Sequence, residues 1–198
     1  MRIIQLGDAL DEVSGVYPVI CAKDFEGKEI PPRIRVLETT KIVAKNSSKP
    51  DVGEIWDPKE LDFLIRIGCV LRGGWEEYKK NPLFLCCKET ISPLKLDGVS
   101  GSILLALAKK QLPCIIVPMP IMGATTPVTP ASAIVIANAE ILGVMAAIKA
   151  LDPEVPTGGG VLGGVLDMKT AVPSYAAPEA CLIDAGMVSL YELSLIHI

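Results

Sequence analysis

The residues best suited to chemistry lie in one short segment, 118–130, which contains four prolines and three threonines. Proline fixes the backbone and threonine supplies a hydroxyl, so this composition predicts a rigid loop that presents hydroxyl groups to a small substrate. The alternative interpretation is a turn in which Thr129 only caps the helix that follows.

The chain has a single histidine, His197, which would be the obvious general base. It lies in the last six residues, LSLIHI (193–198), and these resemble the translation of an adapter used to prepare sequencing libraries. We therefore assign residues 193–198 to an artefact and residues 1–192 to one domain, itself a fragment of a larger one. No histidine chemistry is predicted.

Cysteine usage and charge exclude several classes of function. The six cysteines include no CxxC pair, and four of them lie in apolar runs, so we predict reduced, buried thiols in a cytoplasmic protein and no metal site. The net charge of -4, without a long basic run, argues against a nucleic acid partner. Residues 131–151 are long enough to span a membrane, but they contain Glu140 and Lys149, so we predict a buried helix and no membrane association.

The elements that must position the loop follow a repeated strand and helix pattern. Short apolar runs predict strands at 16–21, 52–56, 83–88 and 113–119. Helical patterns predict helices at 2–13, 31–44, 100–110, 130–150 and 178–192, and a further helix that begins at Pro58 after Asp57 and ends before Gly73. Strands recur every thirty to thirty-five residues, which indicates a parallel α/β fold. A doubly wound sheet and a (β/α)8 barrel both remain open, and 198 residues would form only part of a barrel.

Several segments resemble one known family in order and spacing. They are ISPLKLDG (91–98), PMPIMGATTPVT (118–129), ANAEIL (137–142), LDMKTA (166–171) and APEA (177–180). This pattern, over about residues 10–192, resembles the trimethylamine methyltransferase family, which includes the glycine betaine methyltransferases. The resemblance implies a partial TIM barrel of about five βα units, inactive as a fragment.

The resemblance also implies an activity. Such an enzyme moves a methyl group from a quaternary or tertiary methylated amine, such as glycine betaine or trimethylamine, to the Co(I) of a corrinoid held by a partner protein. No cofactor is then expected to bind directly to this chain. Pyrrolysine does not occur in the sequence, which favours the branch of the family that lacks it.

A cationic substrate requires a carboxylate or an aromatic face, which the ends of two predicted strands offer in Glu89 and Trp56. The alternatives are a solvated charge for Glu89 and core packing for Trp56. With the positions that match the family, the predicted catalytic residues are Glu89, Thr125, Thr126 and Asp167, and the predicted substrate contacts are Trp56, Met119, Gly123 and Met168.

Two other function classes also fit parts of the sequence. Gly158, Gly160 and Gly163 satisfy the GxGxxG spacing of an NAD(P)-dependent oxidoreductase, although nearby prolines disfavour the strand and helix that this motif requires. A non-catalytic α/β scaffold is the second alternative. The helix at 130–150 is apolar on all sides, so we expect its outer face to be covered, by a second subunit of a homo-oligomer or by another segment.

Overall fold

The computed structural model describes residues 2–10, 15, 20, 22–24 and 26–194. The chain divides into two compact units, Met1–Cys87 and Lys88–Ile198, and each is described here by itself. In both units short parallel strands alternate with helices. The predicted α/β class is confirmed.

The first unit consists mainly of helices around a pair of parallel strands. Its elements are α1 (Arg2–Ala9), a 3-10 turn (Pro32–Ile34), α2 (Arg35–Asn46), β1 (Asp51–Gly53), α3 (Pro58–Arg72), α4 (Trp75–Lys80) and β2 (Phe84–Lys88), whose last residue opens the second unit. Strands β1 and β2 are parallel, with Asp51 opposite Phe84 and Gly53 opposite Cys86. The connection between them is the helical crossover that a parallel pair requires.

Helix α3 begins and ends where its sequence predicts. Asp57 accepts a hydrogen bond from the Lys59 amide, and Glu60 reaches back to the backbone amide of Asp57, which completes a capping box. Gly73 ends the helix in the left-handed conformation, with φ of 84°. A side chain at Gly68 would overlap the ring of Tyr78 on α4, so glycine is required where these two helices meet.

The second unit carries the remaining strands. Its elements are α5 (Gly98–Lys109), β3 (Cys114–Ile116), β4 (Ile121–Met122), α6 (Pro130–Leu151), β5 (Thr157–Gly159), β6 (Gly164–Asp167), β7 (Val172–Ser174) and α7 (Pro178–Ser194). Strand β3 is parallel to β5, and β4 is parallel to β6. Strand β7 returns antiparallel to β6 and forms a hairpin with it.

The pairs β3–β5 and β4–β6 belong to one extended parallel ladder. Cys114 lies opposite Thr157, and Ile121 lies opposite Gly164, so the register does not change between the two pairs. The intervening carbonyls of Pro118 and Pro120 still accept hydrogen bonds from the Leu162 and Gly164 amides, at 3.1 and 2.9 Å. Proline has no N–H to donate in return, and the regular strand is therefore interrupted at these two residues.

Helix α6 is the core helix of the second unit. Its buried residues include Ala133, Ala137, Ile141 and Ile148, and it contacts α5, α7 and the strands β3 to β5. In the described part of the chain it is the one helix long and apolar enough to cross a membrane, which is weak evidence because core helices have the same properties. Its exposed face carries mainly alanine and glycine, with Val135, Leu142 and Leu151 as the large apolar exceptions.

Several boundaries differ from the sequence predictions. The strand predicted at 52–56 ends at Gly53, and the strand predicted at 113–119 is regular only up to Ile116, because Pro118 lacks a donor. Strand β5 forms at Thr157–Gly159, where the nearby prolines disfavoured a strand. The end of the helix predicted at 2–13 and nearly all of the strand predicted at 16–21 lie outside the described residues, as does His197.

Candidate functional site

The segment 118–127 forms a tight turn that follows its own short strand, β4. The carbonyl of Ile121 accepts hydrogen bonds from the Ala124, Thr125 and Thr126 amides at 2.9 to 3.1 Å. The Thr125 hydroxyl accepts a hydrogen bond from the Ile121 amide at 2.9 Å. Gly123 adopts φ of 81°, a conformation that glycine reaches without strain. The sequence prediction of a rigid loop agrees with this turn.

The hydroxyls of this turn serve the turn itself. Thr125 is half-buried and engaged with Ile121, and buried Thr126 donates a long hydrogen bond of 3.4 Å to the Pro127 carbonyl. Thr129 caps α6 through the Ser132 amide, so the alternative interpretation is correct for that residue.

Asp167 and Met168 lie at the tip of the β6–β7 hairpin, and both are exposed. The Asp167 carboxylate accepts a hydrogen bond from the Lys169 amide at 2.8 Å. This bond, followed by one from the Thr170 side chain, lowers the pKa of Asp167 below its ordinary value. Asp167 is therefore ionised and shapes the hairpin turn.

Pairing of β4 with β6 brings the turn and the hairpin together. Met122 lies opposite Val165, so Gly123 and Thr126 lie beside the hairpin that carries Asp167 and Met168. A methyl group added at Gly123 would lie 3.7 Å from the Met168 sulfur. Five of the eight predicted site residues thus share one neighbourhood: Gly123, Thr125, Thr126, Asp167 and Met168.

Glu89 enters this unit from the end of β2. The Lys88 carbonyl accepts a hydrogen bond from the Val117 amide at 2.9 Å, which places Glu89 beside Val117, two residues before Met119. Glu89 is partly exposed and forms an ion pair of 3.6 Å with the buried Lys88 ammonium. The alternative of a solvated charge thus stays open for Glu89. Its convergence with the hairpin residues stays a prediction.

A buried carboxylate that the sequence predictions did not include in the site is Glu140, in the middle of α6. Its side chain is 4% exposed and accepts hydrogen bonds from the Thr90 hydroxyl, from the Ser92 hydroxyl at 3.1 Å and from the Leu94 amide at 2.8 Å. A cavity of about 280 Å³ adjoins it, lined also by Leu96 and Val144. A carboxylate in the middle of a predominantly apolar helix was the signal that could have identified it.

Trp56 belongs to the first unit. Its side chain is 57% exposed, so the alternative of core packing is wrong. The indole N–H donates a long hydrogen bond of 3.4 Å to Glu54, and the backbone amide donates to Glu60. Trp56 thus presents an accessible aromatic face close to carboxylates, which suits a cation, although its role in substrate binding stays a prediction.

The glycine-rich segment lacks the geometry for binding a dinucleotide. Strand β5 contains Gly158, but the next element is strand β6, which begins at Gly164, where the fingerprint requires a helix. Gly163 lies against Ile183 of α7, where a side chain would come within 2.9 Å. Gly163 therefore allows the chain to pack closely against α7.

The cysteines do not form a reactive site in the described residues. Cys86, Cys87 and Cys114 are buried free thiols, as predicted, whereas Cys69 is half-buried and Cys181 is exposed. Burial raises the pKa of Cys114 to about 12, which keeps this thiol protonated and unreactive. Within the part of the chain that the structure describes, no three side chains of the metal-binding types are grouped to hold a metal ion.

Comparison with known proteins identifies the chain's relatives. A family model described as trimethylamine methyltransferase matches residues 2–191. The chain is 24% identical over 191 residues to a trimethylamine methyltransferase of Desulfitobacterium hafniense strain DCB-2, covering 96% of this chain and 38% of that protein. It is 26% identical over 165 residues to a glycine betaine methyltransferase of strain Y51, covering 83% of this chain and 34% of that protein.

A trimethylamine methyltransferase of Methanosarcina mazei is also 26% identical, over 192 residues, covering 96% of this chain and 38% of that protein. The chain thus spans somewhat more than a third of the length of these relatives. The family match includes the turn, the hairpin and Glu140 described above, and it confirms the resemblance found in the sequence. This chain belongs to the trimethylamine methyltransferase family.

Proposed function

We propose that this chain is part of an enzyme that transfers a methyl group from a methylated amine to the Co(I) of a corrinoid protein. The observation that carries the proposal is the family match over residues 2–191, which includes the preorganised turn and the adjoining hairpin. We further propose that the short parallel strands and helices form about five βα units of a TIM barrel. The enzyme is proposed to act in the cytoplasm as a homo-oligomer.

The chemistry of a quaternary amine makes modest demands on the protein. Transfer breaks one C–N bond, whose electron pair stays on nitrogen, and a neutral amine leaves. The methyl carbon then bonds to the acceptor supplied by the partner protein, which acts as a two-electron nucleophile. No proton is transferred, so the protein must mainly orient the substrate and exclude water. The absence of a general base among the turn residues is consistent with this reaction.

The predicted site residues can be assigned separate roles in binding and orienting the substrate. We propose that Glu89 balances the charge of the ammonium group, and Trp56 in the first unit stays a predicted contact for a cation. The internally bonded turn at Thr125 and Thr126 supplies a fixed wall, because its hydroxyls are already engaged and do not need to reorganise when substrate binds. Met119, Gly123 and Met168 are proposed to supply apolar contact to the methyl groups, with Asp167 fixing the hairpin.

The experiment uses the full-length gene. The purified enzyme is mixed with cob(I)alamin and a panel that includes trimethylamine, glycine betaine and a non-methylated amine, and formation of methylcobalamin is followed by absorbance. We expect at least one methylated amine to react and the Glu89→Gln variant to lose at least tenfold in kcat/KM. Absence of transfer from every methylated amine, both to cob(I)alamin and to a corrinoid protein, would overturn the proposal.

A further inference from the structure

The proposed site contains a loop, residues 89–97, that is held in place by a side chain of another element. Residues 89–97 follow β2 and lead into α5. At one end the Lys88 carbonyl accepts from the Val117 amide, and at the other Asp97 caps α5 by accepting from the Val99 and Ser100 amides at 2.8 and 3.0 Å. Between these ends Ile91 and Lys95 exchange two backbone hydrogen bonds, which close the segment into a small loop.

Glu140 fixes this loop to α6. One of its carboxylate oxygens, Oε2, accepts from both the Thr90 and the Ser92 hydroxyls, and the other, Oε1, accepts from the Leu94 amide. These three partners are spread over the loop, and Thr90, like Glu140, is nearly fully buried. One side chain therefore holds the loop at three positions.

We propose that Glu140 is a positioning residue that sets the direction of Glu89 in the active site. The inference rests on the proposed function, because it takes Glu89 as the group that faces the substrate cation. Successive side chains at the end of a strand point to opposite faces, so holding Thr90 against α6 directs Glu89 away from that helix. A loop released from Glu140 no longer fixes the backbone that carries Glu89, and only local contacts such as the Lys88 ion pair then restrain its side chain.

The chemistry of these three hydrogen bonds explains why glutamate occupies position 140. A carboxylate only accepts hydrogen bonds, so both hydroxyls must donate to it, and bonds to a charged acceptor are about twice as strong as neutral ones. Glutamine keeps the same shape. Its oxygen can accept from the Leu94 amide, while its NH2 donates to the two hydroxyls, because hydroxyls also accept. Alanine would leave all three donors without this partner.

The test compares three variants of the full-length enzyme: Glu140→Ala, Glu140→Gln and the control Ile148→Ala. Ile148 is also buried on α6, at 4% exposure, and its truncation destabilises the helix packing without touching the loop. KM and kcat for the best amine substrate are measured with the thermal midpoint of each variant. Hydrogen exchange of the amides at 90–97 reports directly on the loop.

We expect Glu140→Ala to raise KM at least tenfold, to change kcat less, and to accelerate exchange at Leu94. Glu140→Gln should restore most of the wild-type KM, and Ile148→Ala should lower the thermal midpoint while KM stays within twofold. A KM for Glu140→Ala as close to wild type as that of the control would overturn the inference. If the wild-type enzyme transfers no methyl group, the proposed function fails instead, and hydrogen exchange alone tests the role of Glu140. Unchanged exchange at 90–97 in Glu140→Ala would show that Glu140 does not hold the loop, and faster exchange would show that it does.

Discussion

Two segments at the ends of strands in the second unit, 89–97 and 118–127, are held in opposite ways. The turn at 121–127 is closed by hydrogen bonds between residues at most five positions apart, and Pro127 restricts its backbone further. Pro118 and Pro120, which precede it, pair with the distant Leu162 and Gly164 amides as part of the parallel ladder. In 89–97 the main anchor is Glu140, which lies 46 to 50 residues from its three partners. The turn at 121–127 is closed by its own residues, whereas the loop at 89–97 depends on a side chain from a distant helix.

This difference has a consequence for mutation. The turn distributes its stability over several weak local contacts, so that no single side chain is essential to it. The loop at 89–97 makes three hydrogen bonds to one buried carboxylate. Removal of that carboxylate leaves several donors without a hydrogen-bond partner at once. We therefore expect single substitutions to lower stability strongly where they affect the loop at 89–97 and weakly where they affect the turn.

The largest effect should come from Glu140→Ala. We expect it to lower the free energy of unfolding of the full-length protein by about 3 kcal/mol, because it leaves buried donors without hydrogen-bond partners and creates a cavity. Urea denaturation measures this loss. Substitution of the exposed Glu179 by alanine is the control and should change stability by less than about 0.5 kcal/mol. Equal losses in both variants would show that the loop does not depend on Glu140.

A second buried carboxylate, Asp51 in the first unit, sharpens the comparison because it has far fewer partners than Glu140. One of its oxygens accepts from the Thr40 hydroxyl at 2.6 Å, and the other is buried without a hydrogen bond. Burial raises the pKa of Asp51 from 3.8 to about 6. The native state therefore holds the proton more tightly, and this group's contribution to stability is lost as pH rises from about 4 to above 6.

We accordingly expect Asp51→Asn to stabilise the full-length protein at pH 7.5 by about 1 to 2 kcal/mol and to have little effect near pH 4. Urea denaturation at both pH values tests this. Asp97→Asn is the matched comparison, because hydrogen bonds from Ser100 lower the pKa of Asp97, so that this variant should lose stability at neutral pH. A destabilised Asp51→Asn protein at pH 7.5 would contradict the prediction.

A smaller effect is expected in the self-supporting turn. Gly123→Ala places a side chain at φ of 81° and should cost about 1 kcal/mol, chiefly as backbone strain, because the added methyl group makes only ordinary contacts at 3.7 Å. Gly143→Ala on α6, where a methyl group meets nothing within 4 Å, is the control and should stabilise by up to about 1 kcal/mol. Denaturant midpoints distinguish the two variants. A loss of about 3 kcal/mol in Gly123→Ala would show that the turn is as sensitive to a single substitution as the loop at 89–97.

The smallest effect should be that of Thr125→Val, at about 0.5 to 1 kcal/mol. The substitution removes the acceptor of the Ile121 amide, while the three amides bonded to the Ile121 carbonyl remain in place. Thr126→Val loses only a 3.4 Å hydrogen bond and should change stability less still. If Thr125→Val unfolds the turn, as detected by fast exchange of the Ala124 amide, the turn is not self-supporting.

The sequence by itself determined the features that depend on near neighbours. Asp57, Pro58, Glu60 and Gly73 predicted both ends of α3, because capping joins residues within one turn of helix. The prolines and threonines of 118–130 predicted a rigid turn for the same reason. The motifs also determined the family, since they are read in order along the chain.

Only the tertiary structure decided what contacts what over long distances. Glu140 sits in an apolar helix, and nothing within several residues of it indicates that Thr90, Ser92 and Leu94 surround it. The pairing of β4 with β6 was likewise hidden, because Pro118 and Pro120 separate the two residues of β4 from β3 and because β6 has only four residues. The physical reason is that a buried polar group must find hydrogen bonds wherever the fold supplies them, and the supplying residues leave no mark near it in the sequence.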